Sequence, residues 1–158
     1  MKSIILSIKP YWYYLIFEGI KTYEIRKKVP NNNIWDKKVK CYMSKDEKSF
    51  NRIPKEFQNK FRKHFGKVGM EFYCGKKTTM LAPKVLKSLC DVSLNQFLRK
   101  TYERKSCLSI NEIIAYSNGK NVYALEITRL NVIEKPKELS KFNIKKAPQS
   151  WQYLEGIY

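Results

Sequence analysis

Gly19-Ile20-Lys21-Thr22-Tyr23-Glu24-Ile25-Arg26 places two cations and a carboxylate within six residues, at a point where the hydrophobic period of the chain changes. Just upstream, Trp12, Leu15, Ile16 and Gly19 fall at i, i+3, i+4 and i+7. That is the spacing of one apolar stripe on a helix, with Pro10 at its first position and Gly19 just past its end. From Thr22 the period becomes two. Tyr23 and Ile25 then face one side of a strand, toward a core, and Thr22, Glu24 and Arg26 face the other. Lys21 has the wrong parity for that polar face and joins it only if the chain is still turning at 21. The stretch reads as the floor of a binding cleft.

Outward from this stretch, the chain of 158 residues is long enough for one domain, 1–158, with a core that needs no staples. Aromatic residues make up 14%, which excludes disorder by composition. The sequence holds no run of eighteen apolar residues, and the apolar part of residues 1–10 is too short for a signal peptide. No membrane partner is expected, and the expected location is the cytoplasm. The oligomeric state is not legible in the sequence.

Cys41, Cys74, Cys90 and Cys107 are spaced 33, 16 and 17 apart, without a C-x-x-C pair and with His64 as the sole histidine. Metal sites use tighter ligand spacing, so no metal and no cofactor are expected and the thiols read as reduced and mostly buried. As a catalytic base His64 would need an orienting partner that the sequence does not display.

The formal charge is +18, and residues 37–105 hold 19 Lys and Arg against 6 Asp and Glu, a net of +13 that leaves +3 before and +2 after. A field so concentrated attracts polyanions and makes their binding salt-dependent. Coding bias is the competing explanation, because Lys outnumbers Arg 26 to 6. Clustering of the charge favours nucleic acid over bias.

Residues 4–8 form a short apolar strand ended by Lys9-Pro10. A loop follows the opening motif from Lys27 to Asp36, with Pro30 and three asparagines as breakers. Val39 to Ser44 reads as a strand with Val39, Cys41 and Met43 on one face. Ile53 to Gly66 reads as a helix with Pro54 at its first position, whose Phe57, Phe61 and Phe65 face the core and whose opposite face is basic. In the strand Val68 to Cys74, Gly69, Glu71 and Tyr73 share a face, and a strand glycine beside a carboxylate suggests close approach of a ligand or another backbone. Two S-x-x-Q/E capping boxes start helices near 94 and 110. Ser93 is flanked by a Val92/Phe97 staple and Ser109 by a Leu108/Ile113 staple, and Asn118-Gly119 stops the second helix. Val122 to Ile133 is a long strand whose alternation reverses near Thr128-Arg129, the mark of a bulge at a barrel corner. The tail beyond it reads as irregular.

Three of these stretches together resemble the ASCH family of PUA-like β-barrels, in its short bacterial and phage type. They are Leu6-Ser7-Ile8-Lys9-Pro10 entering a helix, the G-x-K-x-x-E-x-R of residues 19–26, and the glycine-glutamate strand Lys67-Val68-Gly69-Met70-Glu71-Phe72. Lys135-Pro136-Lys137-Glu138-Leu139 and Pro148-Gln149-Ser150-Trp151 are similar to the tails of such proteins. The resemblance covers nearly the whole chain, with 45–65 and 76–106 as insertions. It implies an α+β fold, a small PUA-like β-barrel with peripheral helices, and a charged cleft that binds RNA or a nucleotide or nucleoside. Relatives that hydrolyse acetylated cytidine use a lysine at the position of Lys21 and a glutamate at that of Glu71. They have a threonine where this chain has Glu24, which leaves the amidohydrolase assignment open. Other relatives are ribonucleases.

Three functions therefore stand side by side. As a binding module, Lys21 and Arg26 take phosphate or base acceptors, Glu24 and Glu71 accept from an exocyclic amine or ribose hydroxyl, and Tyr23, Tyr73 or Trp151 stacks a base. As a hydrolase, Lys21, Glu24 and Glu71 are the catalytic candidates. As a phage or prophage accessory protein, the chain binds a host protein, and the charged motif serves only to hold helix to barrel. A buried, fully paired motif without an adjoining pocket would favour this last reading.

Overall fold

The computed structural model describes residues 2–30 and 34–156, with the side chains of residues 92–94 also left outside the description. In chain order the elements are β1 (Ile4–Ile8), α1 (Pro10–Phe17), β2 (Tyr23–Arg26), β3 (Lys38–Met43), α2 (Glu47–Phe50), α3 (Lys55–Arg62) and β4 (Val68–Cys74). Then follow β5 (Thr79–Leu81), α4 (Pro83–Leu89), α5 (Val92–Ser106), α6 (Ile110–Ser117), β6 (Val122–Lys137), a 3-10 turn at Leu139–Phe142 and β7 (Trp151–Tyr153).

Pro10 opens α1, and Gly19 closes it in the left-handed region at φ 73°. The Ile20 amide bonds the Leu15 carbonyl and the Gly19 amide that of Ile16, the paired bonds of a Schellman stop. The chain is thus still turning at Lys21. The buried face of α1 differs from the expected stripe: Tyr13 and Ile16 are fully buried and Trp12 only partly, because a third layer, α3, packs over the helix through Phe61.

The strands form one curled mixed sheet in the order β2-β6-β4-β3-β1-β7, with β5 also on β6. Among the strand pairs of the described residues, β1 and β3 run parallel and the others are antiparallel. The long strand β6 makes the curl. Its first residues pair β2 and β5 and its later ones pair β4, with a register shift opposite Glu71 and Tyr73 and Arg129 at φ 49° between the two halves. This is the bulge expected at Thr128-Arg129. The strand runs on to Lys137, farther than expected, so less of the tail is irregular. The result is a half-barrel with peripheral helices, the α+β architecture the sequence predicts.

Hydrophobic clusters lie on both faces of the sheet. The main one fills the barrel with Ile4, Leu6, Val39, Cys41, Met70, Phe72 and Leu125 under α1 and Phe61. A second joins Tyr23 and Ile25 to α4, α5 and α6, so the segment 76–106 roofs the outer face of β2. A third sets Ile5, Tyr42 and Val68 against the tail through Phe142 and Ile144.

The helix expected over 53–66 is shorter. It ends at Arg62, and Phe65 lies beyond it in a bridge to Met43, because His64 turns inward. His64 is buried, with Nδ1 2.9 Å from the Tyr13 hydroxyl. Gly69 faces both, and a Cβ there would overlap the His64 ring and fall 2.6 Å from Tyr13 Oη. The strand glycine is explained by these core side chains and not by a ligand. The box at Ser109 forms in full with Glu112, and Asn118 and Gly119 take left-handed conformations at the end of α6. The box expected at Ser93 and the asparagines at 31–33 lie outside the described residues.

Gly69→Ala is expected to lower stability by roughly 2–4 kcal/mol in chemical denaturation, since two packed rings would have to shift. Burial, with Lys63 and Lys60 nearby, lowers the His64 pKa from 6.5 to about 4. Between those values the unfolded chain binds the proton first, so stability falls as pH drops from about 6.5 to 4. Relative to His64→Gln, the wild type is expected to lose up to about 3 kcal/mol across that interval, read from denaturation midpoints.

Candidate functional site

The two ends of the curled sheet do not pair, and the gap between them is the site. Arg26, on the end strand β2, donates from Nη2 to the Ser7 carbonyl of β1 at 2.6 Å and from Nη1 to Ser150 Oγ at 3.4 Å, just before β7. Its Nε donates to Glu24 Oε1 at 3.0 Å. One guanidinium therefore spans the seam and holds its counter-charge two residues away on the same strand face.

Lys21 meets this pair from the turn. Its Nζ lies 3.6 Å from Glu24 Oε2 and donates to the Ser106 carbonyl at 2.6 Å. Ser106 is the last residue of α5, where carbonyls lack helical partners and the helix dipole favours a cation. Trp12 turns its ring face toward the ammonium at 5.2 Å. Lys21 is 2% exposed, Glu24 6% and Arg26 8%. Burial holds the Lys21 pKa below the usual lysine value; Glu24 and Cys107 oppose that effect and Arg26 adds to it.

Beside this trio opens a cavity of about 920 Å³. Lys21, Glu24 and Arg26 line it with Ser7 of β1, Trp12 of α1, Tyr42 and Ser44 of β3 and its exit, Glu112 and Tyr116 of α6, and Pro148 and Gln149 of the tail. Tyr116 is 39% exposed, with Lys27 4.8 Å above its ring. Burial raises its hydroxyl pKa, and Arg26 beside it opposes the shift. The site thus joins buried charge to aromatic walls.

Lys21, Glu24 and Arg26 come together as the motif suggests. Glu71, Tyr73 and Trp151 do not line the cavity. Glu71 alternates with Met70 and Phe72, which face the barrel core, so its carboxylate projects from the other side of the sheet. There it accepts from Lys40 at 2.7 Å and lies 3.8 Å from Lys38 and 3.4 Å from Asn131. Burial would raise the Glu71 pKa, but Lys40, Lys38 and Asn131 outweigh it and hold it below the usual carboxylate value. Tyr73 is packed under the Arg129 guanidinium at 3.9 Å. Trp151 pairs across from Leu6 and packs on the main core, edge-on to Tyr153. Ser7, Ser44, Glu112, Tyr116 and Gln149 carry no local signal of a site; they reach the cavity through sheet curling and helix docking.

Among the described residues Glu24 is the carboxylate that meets both Lys21 and Arg26, while a third buried cation, Lys40, pairs with Glu71. Glu24→Gln keeps its size but leaves Lys21 and Arg26 without a counter-charge. It is expected to cost about 3–5 kcal/mol in urea denaturation, whereas Glu71→Gln, on a pair whose side chains are 7% and 16% exposed, should cost about 1.5–3 kcal/mol, the worth of a charged hydrogen bond.

No family model matches the sequence, and no curated protein matches it. Among solved structures, the crystal structure of the ASCH protein of Zymomonas mobilis superposes with a TM-score of 0.64 at 18% identity, covering 98% of this chain and 88% of that one. Two single-residue variants of that protein superpose with TM-scores of 0.64 and 0.63 at 18% identity, covering 98% of this chain and 91% and 89% of theirs. A likeness at that identity speaks for architecture alone, and it agrees with the half-barrel and its peripheral helices: the chain has the ASCH-type fold.

Proposed function

We propose that this chain binds a nucleoside unit, carried by a nucleotide or by RNA, in the seam cavity. The observation that carries the reading is the union of a cavity of about 920 Å³ with a buried Lys21-Glu24-Arg26 floor and the aromatic walls Trp12 and Tyr116. Pockets for small molecules run to roughly 300–1,000 Å³, so a base with its ribose is accommodated. Glu24 and Glu112 are acceptors for an exocyclic amine, Lys21 and Arg26 are donors to ring carbonyls or phosphate, and Trp12 and Tyr116 offer faces for stacking. The ASCH-type fold supports the same class of ligand as an analogy of architecture. A purely structural motif, or an accessory protein that only docks on a host protein, gives no reason for an open cavity beside the charges.

A hydrolase on the same site is the second reading, favoured by the depressed pKa of Lys21. Glu71 cannot serve it as proton shuttle from the opposite face of the sheet. Glu24, 3.6 Å from Lys21 Nζ, is the carboxylate in reach. Location in the cytoplasm remains part of the proposal; among the described residues no helix is long and apolar enough to cross a membrane.

Binding is measured by Trp fluorescence and calorimetry with nucleosides, mononucleotides and short single-stranded RNA at low salt. Saturable binding is expected, weakened about tenfold, or about 1.4 kcal/mol, in Tyr116→Ala. RNA affinity should fall with salt by a log-log slope of about 0.7 for each phosphate engaged. Failure of every such ligand to bind would refute the reading. Incubation with acetylated cytidine and with labelled RNA, against Lys21→Ala, separates holding from cutting.

A further inference from the structure

We infer that a second hollow beside the cavity is an anion subsite, which takes the phosphate attached to the nucleoside held in the seam; this rests on the binding reading above. The second hollow, about 620 Å³, is lined by Gly66, Glu138, Ser140, Asn143 and Lys145 and shares Tyr42 and Lys45 with the seam cavity. Two hollows with common walls form one groove interrupted by a ridge. Tyr42 is 4% exposed, packed against Ile5, Val68 and Phe142, so that side of the ridge is fixed. The other side is the aliphatic stem of Lys45.

Gly66 is what lets that stem lie down. A Cβ on Gly66 would fall 2.5 Å from Lys45 Cε, and its φ of 71° already favours glycine. Lys45, itself exposed, thus lies along Gly66 and lines both hollows. Lys145 stands on the far wall and is exposed. The one acidic wall residue, Glu138, is offset by Lys67 at 3.4 Å, so the hollow is net cationic and has a hydroxyl, Ser140, beside the charges. Phosphate oxygens are bound by this combination of ammonium groups and hydroxyl donors.

A second observation lies in the adjoining seam cavity. Ser44, the neighbour of Lys45 and a wall of the seam cavity, buries its Oγ without a hydrogen-bond partner among the described residues. A buried hydroxyl left unpaired is a cost, and a ribose oxygen bound in the seam cavity relieves it. Lys45 lies outside the charged motif, and Ser140 and Lys145 belong to the tail. The subsite is therefore assembled from parts of the chain that the motif does not predict.

The phosphate chemistry has two sources, a free mononucleotide and the phosphodiester of RNA. Calorimetry with the four ribonucleosides, their 3′- and 5′-monophosphates and a mixed-sequence hexaribonucleotide distinguishes them. A tenfold or greater gain over the nucleoside is expected on adding phosphate. A gain complete in the monophosphate marks a nucleotide site, and one that appears only with the hexamer marks RNA. Lys145→Glu, on the surface, should collapse the ratio of phosphorylated to unphosphorylated affinity toward one, and Ser44→Ala should weaken binding severalfold without lowering the melting temperature. Nucleosides that bind as tightly as their phosphates and the hexamer, or a gain that survives Lys145→Glu, would overturn the subsite alone. Absence of binding by every ligand would overturn it together with the reading on which it rests.

Discussion

A guanidinium that reaches from one end of a curled sheet to the other sets the geometry of this molecule. β2 and β1 share no backbone ladder, and Arg26 crosses the gap to the Ser7 carbonyl and to Ser150. A cation 8% exposed is tolerable only with a partner, and Glu24 supplies it at 3.0 Å. Glu24 in turn draws in Lys21, which ends on the C-terminal carbonyl of α5. The side chains that bridge the open seam are therefore the same ones that make the charged cleft. Where hydrogen bonds between strands would have filled the seam, side chains bridge it instead, and the unfilled remainder is the cavity.

The sheet carries apolar clusters on both faces, and that decides the fate of its polar residues. Glu24 and Glu71 have similar sequence surroundings, each on a strand between apolar neighbours. Glu24 shares its face with Leu125, across the ladder, and points toward the barrel interior. Glu71 sits across from Lys40 and Asn131 and points outward. The first carboxylate holds two buried cations beside an open space. The second neutralises Lys40 and Lys38 on a surface covered by the tail. Equal chemistry in the sequence thus leads to unequal roles, because the two strands present opposite faces to the same core.

The basic charge acts over a different range. Most of the lysines in 37–105 are exposed, and such charges attract polyanions across distances of about a Debye length without selecting among them. On the proposed reading, selection falls to the short-range set in the seam, where donors and acceptors are desolvated and fixed by their own hydrogen bonds. A free lysine would add attraction alone; Lys21, held between a carboxylate, a carbonyl and an indole ring, has a defined position and a lowered affinity for its proton.

Much of the architecture was legible because it rests on local physics. Pro10 and Gly19 bound α1 through φ preferences, Ser109 and Glu112 start α6 by reciprocal hydrogen bonds, and the reversed alternation at Thr128-Arg129 marks the bend of β6. The Lys21-Glu24-Arg26 constellation was legible for the same reason, since its members lie within one turn and one strand. Tertiary structure alone decided that Glu71, Tyr73 and Trp151 stand away from the cavity, that Gly69 makes room for Tyr13 and His64, and that Ser7, Tyr116 and Gln149 join the site. Alternation tells which residues share a strand face, but not which face the core will take when a sheet is covered on both sides. That choice follows from how the sheet curls and which helices dock, and these depend on contacts between residues far apart in the chain.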